Sequence, residues 1–382
     1  MHNLHEAKTN LMIPVCEPVF DGNEAAYVAD CIQTGWVSSG GAYIDRFEEM
    51  FSAYCGMPYG VAVTSGTTAL HLALTALGIG AGDEVIIPDF TLIVSANVVI
   101  QVGARPVLID ADPQTWCMDA AQIEAKITPA TKAIMAVHLY GHPCDMVALK
   151  AIAERHNLYL IEDCAEAHGS EVNGQRVGSL SDAGCFSFYG NKTLTTGEGG
   201  MVVCRDPALA ERMRLLRNQG FREPRFVHDV VAFNYRMTNV QAAIGVAQTE
   251  KADEKIESKR WIARTYTELL GGEAELILPY EASWAKNTYW MYGVLLRDGF
   301  GRSKDDVMHM LKMNGVDTRS FFCPMHLQPV FANGNNSTYP DVAGQYPVSE
   351  DLWKRGFYLP TGVGLTRAQI EEVAAKLLEC KA

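Results

Sequence analysis

From about Tyr59 onward, short apolar runs alternate with longer stretches whose apolar residues recur every three or four positions. That is the pattern of strands joined by helices in a largely parallel sheet. Residues 60–64, 84–88, 106–109, 133–137 and 159–162 read as strands, and residues 67–77 and 146–155 as helices between them. The strands are apolar on both faces, so helices are expected above and below the sheet. A further pair of strands, 184–188 and 201–204, flanks the stretch Gly-Glu-Gly-Gly at 197–200, where a turn belongs. Past Asn239, the residues Val240, Ile244 and Ala247 share one helical face, and the charged stretch to Leu270 continues as a long helix. A strand at 289–296 and helices at 304–314 and 367–378 then form a smaller α+β unit. The expected architecture is α/β: a large unit over residues 1–250 with an N-terminal arm over 1–22, and a small unit over 251–382 entered through the long helix.

Composition narrows the function. With 48% hydrophobic and 20% charged residues in 382 positions, the chain buries large cores. Its net charge of −13 opposes a nucleic acid or an anionic membrane as partner. The ten cysteines are scattered singly from Cys16 to Cys380, without the close pairs of a zinc site or a disulfide framework. They read as reduced thiols of a cytoplasmic protein, with no metal expected. The first residues lack a basic region followed by an apolar core, and no run is long enough to span a bilayer.

Three segments carry candidate chemistry. Thr64-Ser65-Gly66-Thr67-Thr68 joins a strand to a helix and offers backbone N–H groups where the helix dipole favours an anion; Ser65 or Thr67 could equally serve as an ordinary cap. Asp163, in Ile-Glu-Asp-Cys-Ala-Glu-Ala-His at 161–168, projects from a strand end into the crevice at the sheet's C-terminal edge. It could hold a proton on a ring nitrogen, bind magnesium or be a solvated acid. Lys192, in Ser-Phe-Tyr-Gly-Asn-Lys-Thr at 187–193, follows a strand in surroundings that ease loss of its proton, so that it could form an imine with an aldehyde. A lone lysine is more often a surface charge. An anion cradle, a strand-end aspartate and a lysine in this order supply what a pyridoxal-phosphate enzyme needs. Phe90, at another strand end, is placed either to stack on the cofactor ring or to pack in the core.

The blocks SGTTALHLAL, GDEVIIPDFT, HLYGHPCDM, IEDCAEAHG, FSFYGNKTLTTGEGGM and NYRMTNVQAAIG, in this order, resemble the DegT/DnrJ/EryC1/StrS family of sugar aminotransferases from about Ile13 to the C-terminus. The resemblance implies the fold-type I architecture, with a large, mostly parallel seven-stranded sheet, and a homodimer with active sites at the subunit boundary. It implies pyridoxal 5′-phosphate held by Lys192 as the covalent anchor and Asp163 on the ring nitrogen. Gly66, Thr67 and Ser187 resemble the phosphate ligands. Glu166, often glutamine in the family, stands near the ring's phenolic oxygen, and Asn234 resembles the asparagine that reaches the neighbouring subunit's cofactor phosphate. Without the resemblance, Asn234 reads as a turn or cap residue.

Residues 228–230 and 318–326, with the lysine block, are most similar to members that aminate C4 of GDP-4-keto-6-deoxy-D-mannose with L-glutamate as donor. Tyr189, where those members usually carry phenylalanine, and an extended segment at 331–345 depart from that pattern. UDP- and dTDP-linked sugars remain alternative substrates. Tyr189, Arg319 and His326 are candidate substrate contacts; Arg319 could equally be a surface ion pair, and His138 and His142 could be structural. A sugar dehydratase of the family would carry histidine in place of Lys192, and a non-catalytic regulator would not need Asp163, Lys192 and Asn234 together.

Overall fold

The computed structural model describes residues 12–224, 226–332 and 342–382. The first half of the expected arm, and most of the extended segment at 331–345, lie outside the described residues.

The alternating pattern becomes a seven-stranded sheet. Its first five strands are β1 (Tyr59–Val63), β2 (Glu84–Pro88), β3 (Arg105–Ile109), β4 (Thr131–Val137) and β5 (Tyr159–Asp163). A two-residue hairpin, β6 (Glu171–Val172) and β7 (Gln175–Arg176), precedes β8 (Ala183–Ser187) and β9 (Gly200–Cys204). The order is β1-β9-β8-β5-β4-β2-β3, parallel throughout except for β9, which runs against both neighbours. β9 departs because the loop at 188–199 forms no crossover helix and folds back on itself, Phe188 N–H bonding Gly199 O at 2.8 Å, so the chain returns antiparallel beside β8.

Both faces are covered. Val61, Val63, Val85 and Ile87 point to one core with Leu70, Val99 and Met213, from helices α3 (Gly66–Ala76), α4 (Val94–Gln101) and α6 (Pro207–Arg217). The alternate residue Ile86 points to the other face, with Leu149 and Ile152 of α5 (Met146–His156). Ala62 joins Phe47, Phe51 and Val246 there, from α2 (Ala42–Tyr54), which follows α1 (Glu24–Thr34), and from α7 (Asn239–Glu250). Helices α1 and α2 have no counterpart in the apolar pattern read from sequence. In α1 only Glu24 and Cys31 are buried, which is too little for periodicity to register.

The long helix expected to reach Leu270 is two helices, α7 and α8 (Ala252–Leu270), separated at Lys251 (φ −112°, ψ 17°). Neither glycine nor proline breaks it. The cause is tertiary: α7 is buried on most sides against α1 and α2, and a Cβ on its Gly245 would meet the Phe47 ring at 2.7 Å. α8 instead lays Ile262, Tyr266 and Leu270 on a second core, and the change of partner forces a change of axis. That second core lies on a four-stranded antiparallel sheet of β10 (Leu276–Ile277), β12 (Tyr292–Leu296), β13 (Arg319–Ser320) and β14 (Gly356–Leu359), in the order β10-β12-β14-β13. β11 (Ala285–Lys286) pairs instead with β6. Helices α9 (Lys304–Met313), α10 (Pro329–Ala332), α11 (Pro347–Arg355) and α12 (Arg367–Glu379) complete the chain. The N-terminal segment threads across this region: Ile13 donates to Gly315 O at 2.7 Å, and Val15 O accepts from Thr361 N–H at 2.8 Å.

Candidate active site

The parallel strands β4, β5 and β8 end side by side, and their C-terminal ends gather the candidate residues. Asp163 is the last residue of β5 and is 4% exposed. One of its oxygens accepts the Ala165 N–H at 3.1 Å, from the turn that follows. Burial raises its carboxyl above the usual range, although that N–H and the nearby Lys192 ammonium pull the other way. Three residues on, Glu166 is buried as well. Its Oε2 accepts the Tyr140 N–H at 2.9 Å, and its Oε1 stands 3.8 Å from Lys192 Nζ. Burial pushes Glu166 up to about 7, against the pull of Lys192 and the Tyr140 N–H.

Lys192 sits in the β8–β9 loop, which closes through Phe188 N–H to Gly199 O (2.8 Å) and Thr196 N–H to Phe188 O (2.9 Å). Its side chain is 9% exposed, and burial lowers its proton affinity despite two carboxylates that raise it. The Trp290 ring covers the amine, its centroid 3.8 Å from Nζ, while Trp290 Nε1 donates to Asn191 O at 2.9 Å. Next to the lysine, Asn191 Oδ1 and Thr193 Oγ1 are buried without a hydrogen-bond partner. Orphaned polar atoms around a buried amine suit a polar group bound there.

The anion cradle is built by close approach. Ser65 caps α3, accepting from Thr68 N–H at 3.2 Å, while Ala69 N–H bonds Ser65 O at 3.0 Å. Capping therefore leaves the N–H groups of Gly66 and Thr67 without an acceptor among the described residues. Cap and anion grip, alternatives in the sequence, coexist. Only glycine fits at 66, because a Cβ would stand 2.7 Å from Ser187 Cβ. Ser187 ends β8, and its hydroxyl faces the same helix terminus. Gly200 of β9 packs on the backbone of Ser65 in turn, which accounts for the last glycine of the 197–200 stretch.

Phe90 is 1% exposed, with Tyr140 and Phe321 at ring-centroid distances of 6.2 and 5.8 Å. Asn234 is exposed, its Oδ1 accepting from Arg236 Nε at 2.9 Å. Tyr189 is half exposed beside the lysine loop. Arg319 is ion-paired with Asp317. His326 is fixed by Asp89, from Nδ1 at 2.8 Å and its own N–H at 2.9 Å, with Glu350 3.3 Å from Nε2. The structure thus brings Gly66 and Thr67 to Ser187, and Asp163 and Glu166 to Lys192, while Asn234, Arg319 and His326 are bonded to other residues.

His138 and His142 are structural. His138 Nδ1 accepts the Cys144 N–H, so its Nε2–H donates to Glu162 at 3.0 Å. Glu162 also accepts from Gly178, Leu180 and Ser181, a closed network rather than a set of free ligands although Cys164 lies close by. His142 bonds Pro143 O and the Ala282 N–H. His168, among the rings of Phe51, Phe186 and Phe188, is pushed down to about 3 by burial and stays neutral.

Sequence reasoning missed Tyr140 and Trp290. Tyr140 holds φ at 54°, unfavourable for a bulky residue, and that conformation aims its N–H at Glu166. The only sign in the sequence was its place one residue before Gly141. Trp290 lies about a hundred residues from Lys192, and no local pattern links them.

A buried amine that parts readily with its proton, next to an anion cradle and a carboxylate suited to a ring nitrogen, meets the demands of pyridoxal 5′-phosphate. With this sheet, the class is the fold-type I aminotransferases that use that cofactor. The chain belongs to the DegT/DnrJ/EryC1/StrS aminotransferase family, whose pattern matches residues 18–378. It is 47% identical to the GDP-perosamine synthase of Caulobacter vibrioides over 368 residues, 96% of this chain and 97% of that protein. The GDP-perosamine synthase of Vibrio cholerae is 44% identical over 363 residues, covering 95% and 97%. Among solved structures, S. venezuelae DesV matches with a TM-score of 0.87 at 36% identity over 94% of each chain.

Proposed function

We propose that this enzyme moves the amino group of L-glutamate to C4 of GDP-4-keto-6-deoxy-D-mannose, forming GDP-perosamine in the cytoplasm for O-antigen or another polysaccharide. The observation that carries this reading is likeness, nearly end to end, to two GDP-perosamine synthases. Among the described residues no helix is long and apolar enough to cross a membrane.

Pyridoxal phosphate, when bound, supplies an aldehyde for covalent attachment and a ring that accepts the electrons of a broken C–H bond. Lys192 Nζ is the anchor. As a free amine, the same nitrogen would take the proton from the substrate's Cα and give it back, acting as base and then acid. Its lowered proton affinity suits both tasks. Asp163 keeps the ring nitrogen protonated. Glu166 would stand near the phenolic oxygen, where a carboxyl near 7 could hold or release a proton at working pH. The N–H groups of Gly66 and Thr67, with the Ser187 hydroxyl, would hold the phosphate, and Phe90 would stack on the ring.

In this reading the protein is a homodimer in which Asn234 reaches the partner's cofactor phosphate. Its exposure, and the exposed apolar side chains of Phe226, Val227 and Val231 in the same segment, support that role. Tyr189, Arg319 and His326 contact the nucleotide sugar or the donor. The chain divides near residue 250 into a large cofactor-binding unit, preceded by the arm, and a small C-terminal one. The test is turnover of purified protein with glutamate against GDP-, UDP- and dTDP-linked 4-keto-6-deoxy sugars, read by mass spectrometry. Amination of the GDP sugar alone is expected; preference for another nucleotide overturns the assignment.

A further inference from the structure

Lys259 is a lysine without a counter-charge. It projects from α8, is 1% exposed, and has no carboxylate within ion-pairing reach among the described residues. Its Nζ donates to Trp290 O at 2.9 Å, Thr361 O at 2.6 Å and Thr361 Oγ1 at 3.4 Å. Thr361's own hydroxyl hydrogen is directed to Trp290 O (3.1 Å) or Met291 Sδ (3.3 Å). All three partners of Nζ are therefore acceptors, and meeting them takes three N–H bonds. Only the ammonium has three. Keeping such a charge buried is costly unless its hydrogen bonds are complete, so a hydrophobic side chain would be the cheaper occupant if packing alone were the purpose.

What the ammonium holds is the backbone of Trp290. That residue covers Lys192 Nζ with its ring and ties down the lysine's neighbour through Nε1–H to Asn191 O. Tyr289, immediately before it, has φ 49°, so the segment adopts a conformation that local preference disfavours and outside contacts must maintain. Gly141 O and Tyr140 O accept from Thr288 and Met291 on either side, but neither bond reaches Trp290 itself.

We infer that Lys259 is a positioning residue for the reaction: its ammonium clamps the Trp290 backbone, and through Trp290 it sets the place of Lys192 and shields the anchor nitrogen from solvent. This rests on the reading of Lys192 as the cofactor's anchor.

The experiment measures how fast hydroxylamine strips the cofactor from the holoenzyme, a rate that reports access to the Lys192 linkage rather than turnover. Wild type, Lys259→Met and Leu377→Ala are compared, the last being a core truncation in α12 that lowers stability away from the site. Borohydride reduction and peptide mapping are run on each. The expected result is an adduct on Lys192 throughout, stripping about tenfold faster in Lys259→Met than in wild type, and an unchanged rate in Leu377→Ala. Thr361→Val, which keeps the shape but removes one acceptor of Nζ and the hydroxyl's own bond to Trp290 O or Met291 Sδ, is expected to accelerate stripping about threefold and carries the test if Lys259→Met does not fold. An adduct absent from Lys192 in wild type overturns the anchor assignment and this inference together. An adduct on Lys192 with stripping in the folded Lys259 or Thr361 variant within twofold of wild type, or matched by Leu377→Ala, overturns the inference alone.

Discussion

Asp163 and Glu166 stand three residues apart and are both buried, yet their partners give them different work. Asp163→Asn keeps the size and the bond from Ala165 N–H but cannot hold a ring nitrogen in its protonated form. Single-turnover conversion with glutamate is expected to slow by on the order of 100-fold or more, with no loss of melting temperature, because a raised carboxyl is not a stabilising charge. Glu166 makes a pH prediction. Its carboxyl titrates near 4.5 unfolded and about 7 folded, so between those values the native state binds the extra proton and stability falls as pH rises. Above 7 that loss is complete. Glu166→Gln removes it, so the variant's stability relative to wild-type apoprotein should improve by up to about 3 kcal/mol between pH 4.5 and 8. Denaturant titrations at the two pH values check this; parallel curves would show that Glu166 is not the titrating group.

At the scale of elements, the decisive contact is between the first turn of α3 and the end of β8. Gly66→Ala should gain up to about 1 kcal/mol from helix propensity but drives a methyl to 2.7 Å from Ser187 Cβ, an overpacking that costs about 1–3 kcal/mol. The clash wins. The N–H groups of residues 66 and 67 then swing away from the Ser187 hydroxyl, and equilibrium dialysis is expected to show cofactor affinity at least about tenfold weaker, the loss of one charge-assisted bond. Unchanged affinity would remove the α3 terminus from the phosphate grip. The α7–α8 break belongs to the same scale: Lys251 bridges Asp21 and Glu254 at 3.3 and 3.8 Å, and no residue type there forbids a continuous helix.

For the whole molecule, the proposed homodimer, with Asn234 reaching the partner's cofactor phosphate, predicts complementation between crippled subunits. In a mixed dimer of Lys192→Ala with Asn234→Ala, one site carries both lesions, and the other has Lys192 from one chain and Asn234 from its partner. Co-expressed with distinct tags and isolated, that dimer is expected to exceed the mean activity of its parents at limiting cofactor. Losing one phosphate hydrogen bond costs only about 1.5–3 kcal/mol, so cofactor must be scarce for the defect to show. A mixed dimer no better than that mean places Asn234 in its own subunit's chemistry or in none.

Much of this protein was legible in its residues taken in order. Strands β2, β4 and β5, the Ser65 junction, Asp163 at a strand end and Lys192 after β8 follow from short-range patterns, because strand period, helix caps and turn glycines are enforced within a few residues. The resemblance supplied roles that no local pattern contains. Tertiary structure decided the rest. It turned β9 against its neighbours, divided α7 from α8, and gave Glu166 its high proton affinity through burial. It tied His326 to Asp89 and paired Arg319 with Asp317. It also brought Trp290 over Lys192 and Lys259 behind Trp290. Apart from the local Arg319–Asp317 pair, the side-chain contacts among these join residues roughly thirty to two hundred and forty positions apart, and they exist only once burial has removed water from between them.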